Sequence, residues 1–238
     1  MSEVKMSSGP ERVLIAAEEP SLRSDLRRTL EVLGFDVGEA PDSEIAITRL
    51  RMVDYEAILL DFPVFGADGI AVCHQIRGIY PRLPILILSA CDCLENKVEA
   101  LEAGADDYMI RPISERELSA RLRSAIRRLH APTVGPTERF VVGNIVLDSS
   151  RRRVEKSGSE VSLTPIEFRT LQMLMQQAGT PVTYAALLAS LWGQESKQHR
   201  EHLRVIISAL RKKLEDSPSR PNYLITHNYF GYCFRDNK

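Results

Sequence analysis

No run in the sequence approaches the roughly 18 consecutive apolar residues that span a bilayer, and the opening MSEVKMSSGP lacks the apolar core of an export signal. A soluble, cytoplasmic protein with no membrane partner is expected. Cysteine is scarce: Cys73, Cys91, Cys93 and Cys233 have no C-x-x-C spacing, which argues against a disulfide framework or a structural zinc site. Cys91 and Cys93 leave a redox input open, although packing is the usual role of free thiols. A large excess of charge is missing too, the net being −1. That sum conceals an asymmetry, because residues 1–130 carry 16 Lys/Arg against 22 Asp/Glu while residues 131–238 carry 15 against 10. Only the second half should attract a polyanion. A chain of 238 residues with 13 prolines suffices for two ordinary domains and a linker.

The first half alternates short apolar runs with amphipathic stretches. Val13–Ala16, Ala57–Leu60, Ile85–Leu88 and Tyr108–Ile110 suit buried parallel strands, with Phe35–Val37 a weaker fifth. Leu22, Leu26, Leu30 and Leu33 share a helical face that Gly34 ends, and Leu118, Leu122, Ala125 and Leu129 share another. Ser114 and Glu117 have the spacing of a capping box at the start of that last helix. The pattern predicts an α/β fold, a doubly wound parallel five-stranded sheet over residues 11–129, with a disordered N-terminus at 1–10. Its crevice lies at the carboxyl ends of the strands, where Glu18, Glu19, Asp61, Ser89 and Arg111 fall.

His130–Glu138 (HAPTVGPTE) has linker composition, which leaves residues 139–238 as a second domain. Strand-like segments at Phe140–Val142, Ile145–Leu147, Arg153–Lys156 and Val161–Leu163 precede three helices. Thr164-Pro165-Ile166-Glu167 caps the first, Thr183 caps the second, which runs to about Trp192, and the third begins near Gln198. In the third, Leu203, Ile207, Leu210 and Leu214 form one stripe, with Arg200, Arg204, Arg211, Lys212 and Lys213 off it. A hairpin of Tyr223–Thr226 and Gly231–Phe234 follows, so the order fits a winged helix-turn-helix that binds double-stranded DNA.

LLDFPVFGADG (59–69), PILILSA (84–90) and GADDYMIRP (104–112) resemble the phosphoacceptor loop, fourth strand and fifth strand of the flavodoxin-like response-regulator receiver family. LTPIEFRTL (163–171), HLRVIISALRKKLE (202–215) and RPNYLITHNYFGYCF (220–234) resemble the OmpR/PhoB winged helix, most nearly that of the potassium-responsive KdpE-like regulators. The resemblance covers residues 11–236. It implies Asp61 as phosphoacceptor, Ser89 as the hydroxyl that grips the phosphoryl group, and Tyr108 as an aromatic switch. It also implies a sensor histidine kinase as partner.

Three positions depart from the receiver pattern. Receivers place two acids after the first strand to hold Mg2+ with the phosphoacceptor, but here Ala17 takes the first place and Glu18 the second. Metal binding would therefore fall to Glu18 and Asp61, with Glu19 beside them. Arg111 stands where the family has lysine, and its planar fork can pair with Asp61 and hold it unmodified. Phe65 replaces a loop proline. A degenerate receiver with impaired or no dependence on phosphorylation, requiring no cofactor, is expected; working phosphorylation with magnesium is the alternative.

The resemblance further implies a receiver homodimer bridged by Lys97, Glu102, Asp106 and Asp107 on one side and Glu117, Arg121 and Arg123 on the other. On DNA it implies backbone contacts from Arg200, Arg204, Arg211 and Lys212, base-edge approach by His202, Ile206 and Ala209, and wing contacts from Thr226 and Asn228. Tyr229 and Phe230 in the wing turn could pack on the sheet or touch DNA. The loop Gly193–Lys197 corresponds to a surface used against RNA polymerase. Two other classes compete: an interaction module without specific DNA binding, and a hydrolase built on Asp61, Ser89 and Arg111. The hydrolase lacks a general base and a nucleophile elbow, so no enzymatic activity is expected.

Overall fold

The structure, a computed structural model, describes residues 9–62, 68–130, 139–193 and 197–235. Residues 1–8 of the N-terminus expected to be disordered, Phe65, residues 131–138 of the linker and residues 194–196 of the polymerase-type loop lie outside this description.

The receiver strands are β1 (Arg12–Ala16), β2 (Asp36–Ala40), β3 (Ala57–Phe62), β4 (Ile85–Ser89) and β5 (Asp107–Ile110). They pair in parallel in the order β2-β1-β3-β4-β5. Between and after them run α1 (Pro20–Val32), α2 (Ser43–Met52), α3 (Asp68–Ile79), α4 (Leu94–Glu102) and α5 (Glu115–His130). Central strands covered on both faces need apolar residues at every position, and all five side chains of β4 are buried. Alternate residues feed two cores: Leu14, Ile58, Ile85 and Ile87 on one side, Val13, Ile15, Leu59 and Leu86 on the other. The capping box at α5 is half formed, since Ser114 accepts from the Glu117 amide at 3.2 Å while the Glu117 carboxylate turns to Arg121.

The second domain begins with the antiparallel sheet β6 (Arg139–Val142), β7 (Ile145–Asp148), β8 (Arg153–Lys156) and β9 (Ser159–Glu160). The fourth strand is shorter and earlier than Val161–Leu163, of which only the Val161 amide still reaches Val154, at 2.8 Å. Helices α6 (Pro165–Gln176), α7 (Tyr184–Trp192) and α8 (Lys197–Leu214) follow, with β10 (Val182–Thr183) before α7 and the hairpin β11 (Leu224–His227) and β12 (Gly231–Phe234) after α8. Both halves of the Thr164/Glu167 capping box are made. The two-residue β10 joins the hairpin at β12, which ties the wing to the helices. Gly231 permits that join, because a Cβ there would sit 1.9 Å from the Val182 carbonyl oxygen.

The domains pack face to face. The carbonyl of Leu191, at the end of α7, accepts from Ser124 of α5 at 3.2 Å and from Arg128. Val205 of α8 packs on the receiver core that holds Leu101 and Tyr108. Lys212 and Glu102 pair across the contact at 2.5 Å.

Candidate functional site

The crevice at the carboxyl ends of β3, β4 and β5 assembles Asp61, Ser89, Tyr108 and Arg111. Asp61 ends an apolar strand and is 1% exposed. Arg111 directs Nη2 to within 3.2 Å of its Oδ1, yet neither carboxylate oxygen makes an aligned hydrogen bond among the described residues. The contact is thus one of charge more than of a bidentate fork. Burial pushes the Asp61 carboxyl above its ordinary value, Arg111 opposes that shift, and the charge of Glu19 adds to it.

Ser89 is buried and its hydroxyl accepts from the Cys91 amide at 3.1 Å. Tyr108 lies fully inside and donates to the Cys91 carbonyl at 3.0 Å. The serine and the tyrosine therefore meet at the turn after β4.

Glu18 and Glu19 lie exposed on the turn after β1, where Arg23 binds the Ala17 and Glu18 carbonyls at 2.6 and 3.1 Å. Glu19 accepts from Ser21 at 2.5 Å. Of the two acids it is Glu19, not Glu18, whose charge bears on Asp61. Among the described residues no three His, Cys, Asp or Glu side chains come together to hold a metal. The oxygen set that magnesium needs is not met by one buried carboxylate facing a guanidinium, with Ala17 in place of an acid.

The second constellation is the receiver face formed by α4, β5 and α5, which the recognition-type helix α8 covers. Asp107, the first residue of β5, receives Arg121 Nη1 at 2.8 and 3.0 Å on its two oxygens. Arg121 is itself held by Glu117 at 2.6 Å. From the other domain, His199 Nε2 lies 2.7 Å from Arg121 Nη1, and His202 Nδ1 lies 3.3 Å from the Asp107 carboxylate. A guanidinium can only donate, so His199 accepts through Nε2 and carries its proton on Nδ1. Trp192, the chain's one tryptophan, stacks on His199 with ring centroids 4.9 Å apart. Burial alone would raise the Asp107 carboxyl; His202 and Arg121 outweigh it and hold the group well below the usual carboxylate range.

A carboxylate whose folded value is depressed contributes stability that is complete above its unfolded pKa of about 3.9 and is lost as pH falls from there through the folded value. The step that Asp107 contributes to a Trp192 fluorescence titration should therefore come only in strong acid. Arg121→Met should move that transition to higher pH.

Several expected contact residues are thus engaged within the chain. His202 and Ile206 are buried and so are not presented to a base edge, His202 because it faces Asp107 of the receiver and Ile206 because it packs in the core of its own domain. Ala209 is half-buried, whereas Arg204 is exposed and open to a phosphate. Arg200 lies over the Tyr184 ring at 5.5 Å. Arg211 is a correction to the expected phosphate contact, since it donates to the Leu224 carbonyl at 2.6 and 3.0 Å and to Thr226 Oγ1 at 2.8 Å. Its work here is to brace the wing against α8. Thr226 and Asn228 lie on the exposed wing, and Tyr229 stands fully exposed at its tip with φ 63°, away from the sheet.

The expected dimer face divides in the same way. Lys97, paired with Asp92, is buried; Asp106 binds Arg77 at 2.6 Å and the Ile166 amide at 3.3 Å; Asp107 and Arg121 form the interdomain cluster. Glu102 pairs with Lys212. Arg123 does not join them, because it lies 4.7 Å over the Phe35 ring and donates to the Leu33 carbonyl at 2.7 Å. The cysteines are free, and Cys73 is pushed up to about 12 by burial.

Receiver crevice and winged helix define a class, and comparison with known proteins agrees with it. Residues 13–123 match the response regulator receiver domain, and residues 158–234 match the family described as transcriptional regulatory protein, C terminal. The chain belongs to the response regulators of OmpR/PhoB type, which carry a C-terminal DNA-binding domain and regulate transcription. It is 37% identical over 222 residues to the KDP operon transcriptional regulatory protein KdpE of Escherichia coli, covering 93% of this chain and 98% of that one. It is 34% identical over 238 residues to the probable transcriptional regulator ycf27 of Cyanophora paradoxa, covering 97% and 99%. Among solved structures, a point mutant of RitR matches with a TM-score of 0.75 at 24% identity, over 95% of this chain and 100% of that one, a likeness of fold. No helix among the described residues is long and apolar enough to cross a membrane.

Proposed function

We propose that this chain is a sequence-specific DNA-binding transcription regulator whose receiver works without phosphorylation and without magnesium. The observation that carries this is the Arg111 guanidinium 3.2 Å from the buried Asp61 carboxylate. A permanent cation there balances the charge that a metal balances in a working receiver, and it stands where a phosphoryl group would enter.

Signalling in this scheme is a competition for one surface. Asp107, Arg121 and Glu102 either hold α8 against the receiver or, with the domains parted, bridge two receivers in a homodimer. Parting also frees His202 and Ala209 for the major groove, with Arg204 and Lys212 on phosphates and Thr226 and Asn228 at the wing. Tandem half-sites about 10–10.5 bp apart suit such a dimer, and the loop near Gly193 suits RNA polymerase.

The conventional phosphorylation-dependent reading, including control of a potassium-uptake operon as for KdpE, is favoured by one thing: Asp61, Ser89 and Tyr108 are all retained. A gel shift on DNA from the chain's own upstream region separates the two. Binding should be the same with and without acetyl phosphate plus magnesium, and the same in Asp61→Ala. Binding that needs acetyl phosphate and disappears in the variant would overturn the proposal.

A further inference from the structure

Beside the α8 contact, the domain interface holds a group of arginines of a different kind. Arg77 and Arg121 are each matched to a buried aspartate. Arg82 before β4, Arg152 in the turn before β8 and Arg169 in α6 pair with no carboxylate among the described residues. Arg82 reaches the Arg151 carbonyl at 3.4 Å, Arg152 the Arg128 carbonyl at 3.2 Å, and Arg169 the Gln172 side chain at 3.1 Å. Arg152 lies 5.0 Å over the Phe168 ring and takes φ 50°, a left-handed backbone that costs a non-glycine residue energy. Burial lowers the Arg152 guanidinium below its ordinary value, Arg82 and Arg169 lower it further, and Asp106 opposes the shift. Gathering half-buried and exposed cations side by side is unfavourable unless an anion completes the set, and the Asp106 charge that reaches Arg152 is already matched to Arg77.

Space for that anion exists. A cleft of about 320 Å³ opens between the domains, with Pro81 and Arg82 on the receiver side and Arg152, Thr164, Pro165 and Phe168 on the other. Glu160, the acid on its rim, is turned to Arg153 at 3.2 Å. The first amides of α6 are already used, by Asp106 and by the capping box, so the arginines must carry the recognition.

We propose that this cleft binds a small phosphate-type polyanion, gripped by the Arg82 fork from the receiver and the Arg152 fork from the winged-helix domain. The ligand touches both domains, so it favours their packed arrangement and opposes DNA binding by the same factor. That consequence rests on the competition proposed above; the binding itself does not.

Calorimetric titration of the full-length chain with inorganic pyrophosphate, beside sulfate at matched ionic strength, tests the site without DNA. Saturable one-to-one binding to pyrophosphate is expected, weakened about tenfold or more in Arg82→Gln and in Arg152→Gln. Arg82 is exposed, so its variant keeps the fold, and unchanged thermal unfolding without ligand checks both. Absence of binding, binding no better than sulfate, or equal binding by both variants would overturn the proposal.

Discussion

Replacing Ser124 by tyrosine should tighten binding to double-stranded DNA by about 5- to 150-fold. Ser124 is buried at the contact between α5 and α7, with its hydroxyl on the Leu191 carbonyl. A phenol ring there has no room while the domains touch. Overpacking costs about 1–3 kcal/mol, and separation of the domains relieves it without disturbing either core. Apparent affinity for DNA is the intrinsic affinity multiplied by the fraction of chains with α8 free, so the strain converts directly into the stated factor. Fluorescence anisotropy on an operator fragment reads it. Ser124 lies outside the residues proposed to bridge the dimer, so the gain cannot come from a strengthened receiver pair. An unchanged affinity would mean that the interface does not restrain α8.

Conversion of the crevice should have an equally large effect on phosphorylation. The double variant Ala17→Asp with Arg111→Lys restores the missing acid and replaces a fixed planar cation by a flexible ammonium. With acetyl phosphate and magnesium, the unsubstituted chain should gain no phosphoryl group by intact-mass measurement, whereas the double variant should gain one, lost again when Asp61→Ala is added. The physical reason is the oxygen count: magnesium wants near-octahedral oxygen ligands, and the natural crevice offers one buried carboxylate facing Arg111. Phosphorylation of the unsubstituted chain would show that Glu18 and Glu19, exposed on their turn, can still swing in to serve.

Much of this architecture is legible in the sequence because it depends on short-range patterns. The apolar runs at Ile85–Leu88 and Ala57–Leu60, the Thr164/Glu167 box and the leucine stripe of α8 each act within a few residues. The Asp61–Arg111 approach is legible too, since both lie at carboxyl ends of strands in one parallel sheet. The closed interface is not. His202 and Asp107 have the residue types of a reader and a bridge, and nothing local says that they meet within one chain. Two signals point that way. Val205 widens the apolar face of α8 beyond its core stripe, and a basic helix follows an acidic receiver. Arg211 and Arg123 mislead for another reason: an exposed-looking arginine can as well cap a carbonyl or cover a ring, as these do.

The most direct test of the closed arrangement is the rate at which diethyl pyrocarbonate modifies individual histidines in the full-length chain without DNA. His199 and His202 are each 1% exposed, whereas His74 and His227 are exposed. Slow modification of His199 and His202 beside rapid modification of His74 and His227, with the slow pair becoming fast in Ser124→Tyr, is the result predicted. His199 and His202 reacting as fast as His227 in the unsubstituted chain would contradict it, because α8 would then already be free of the receiver.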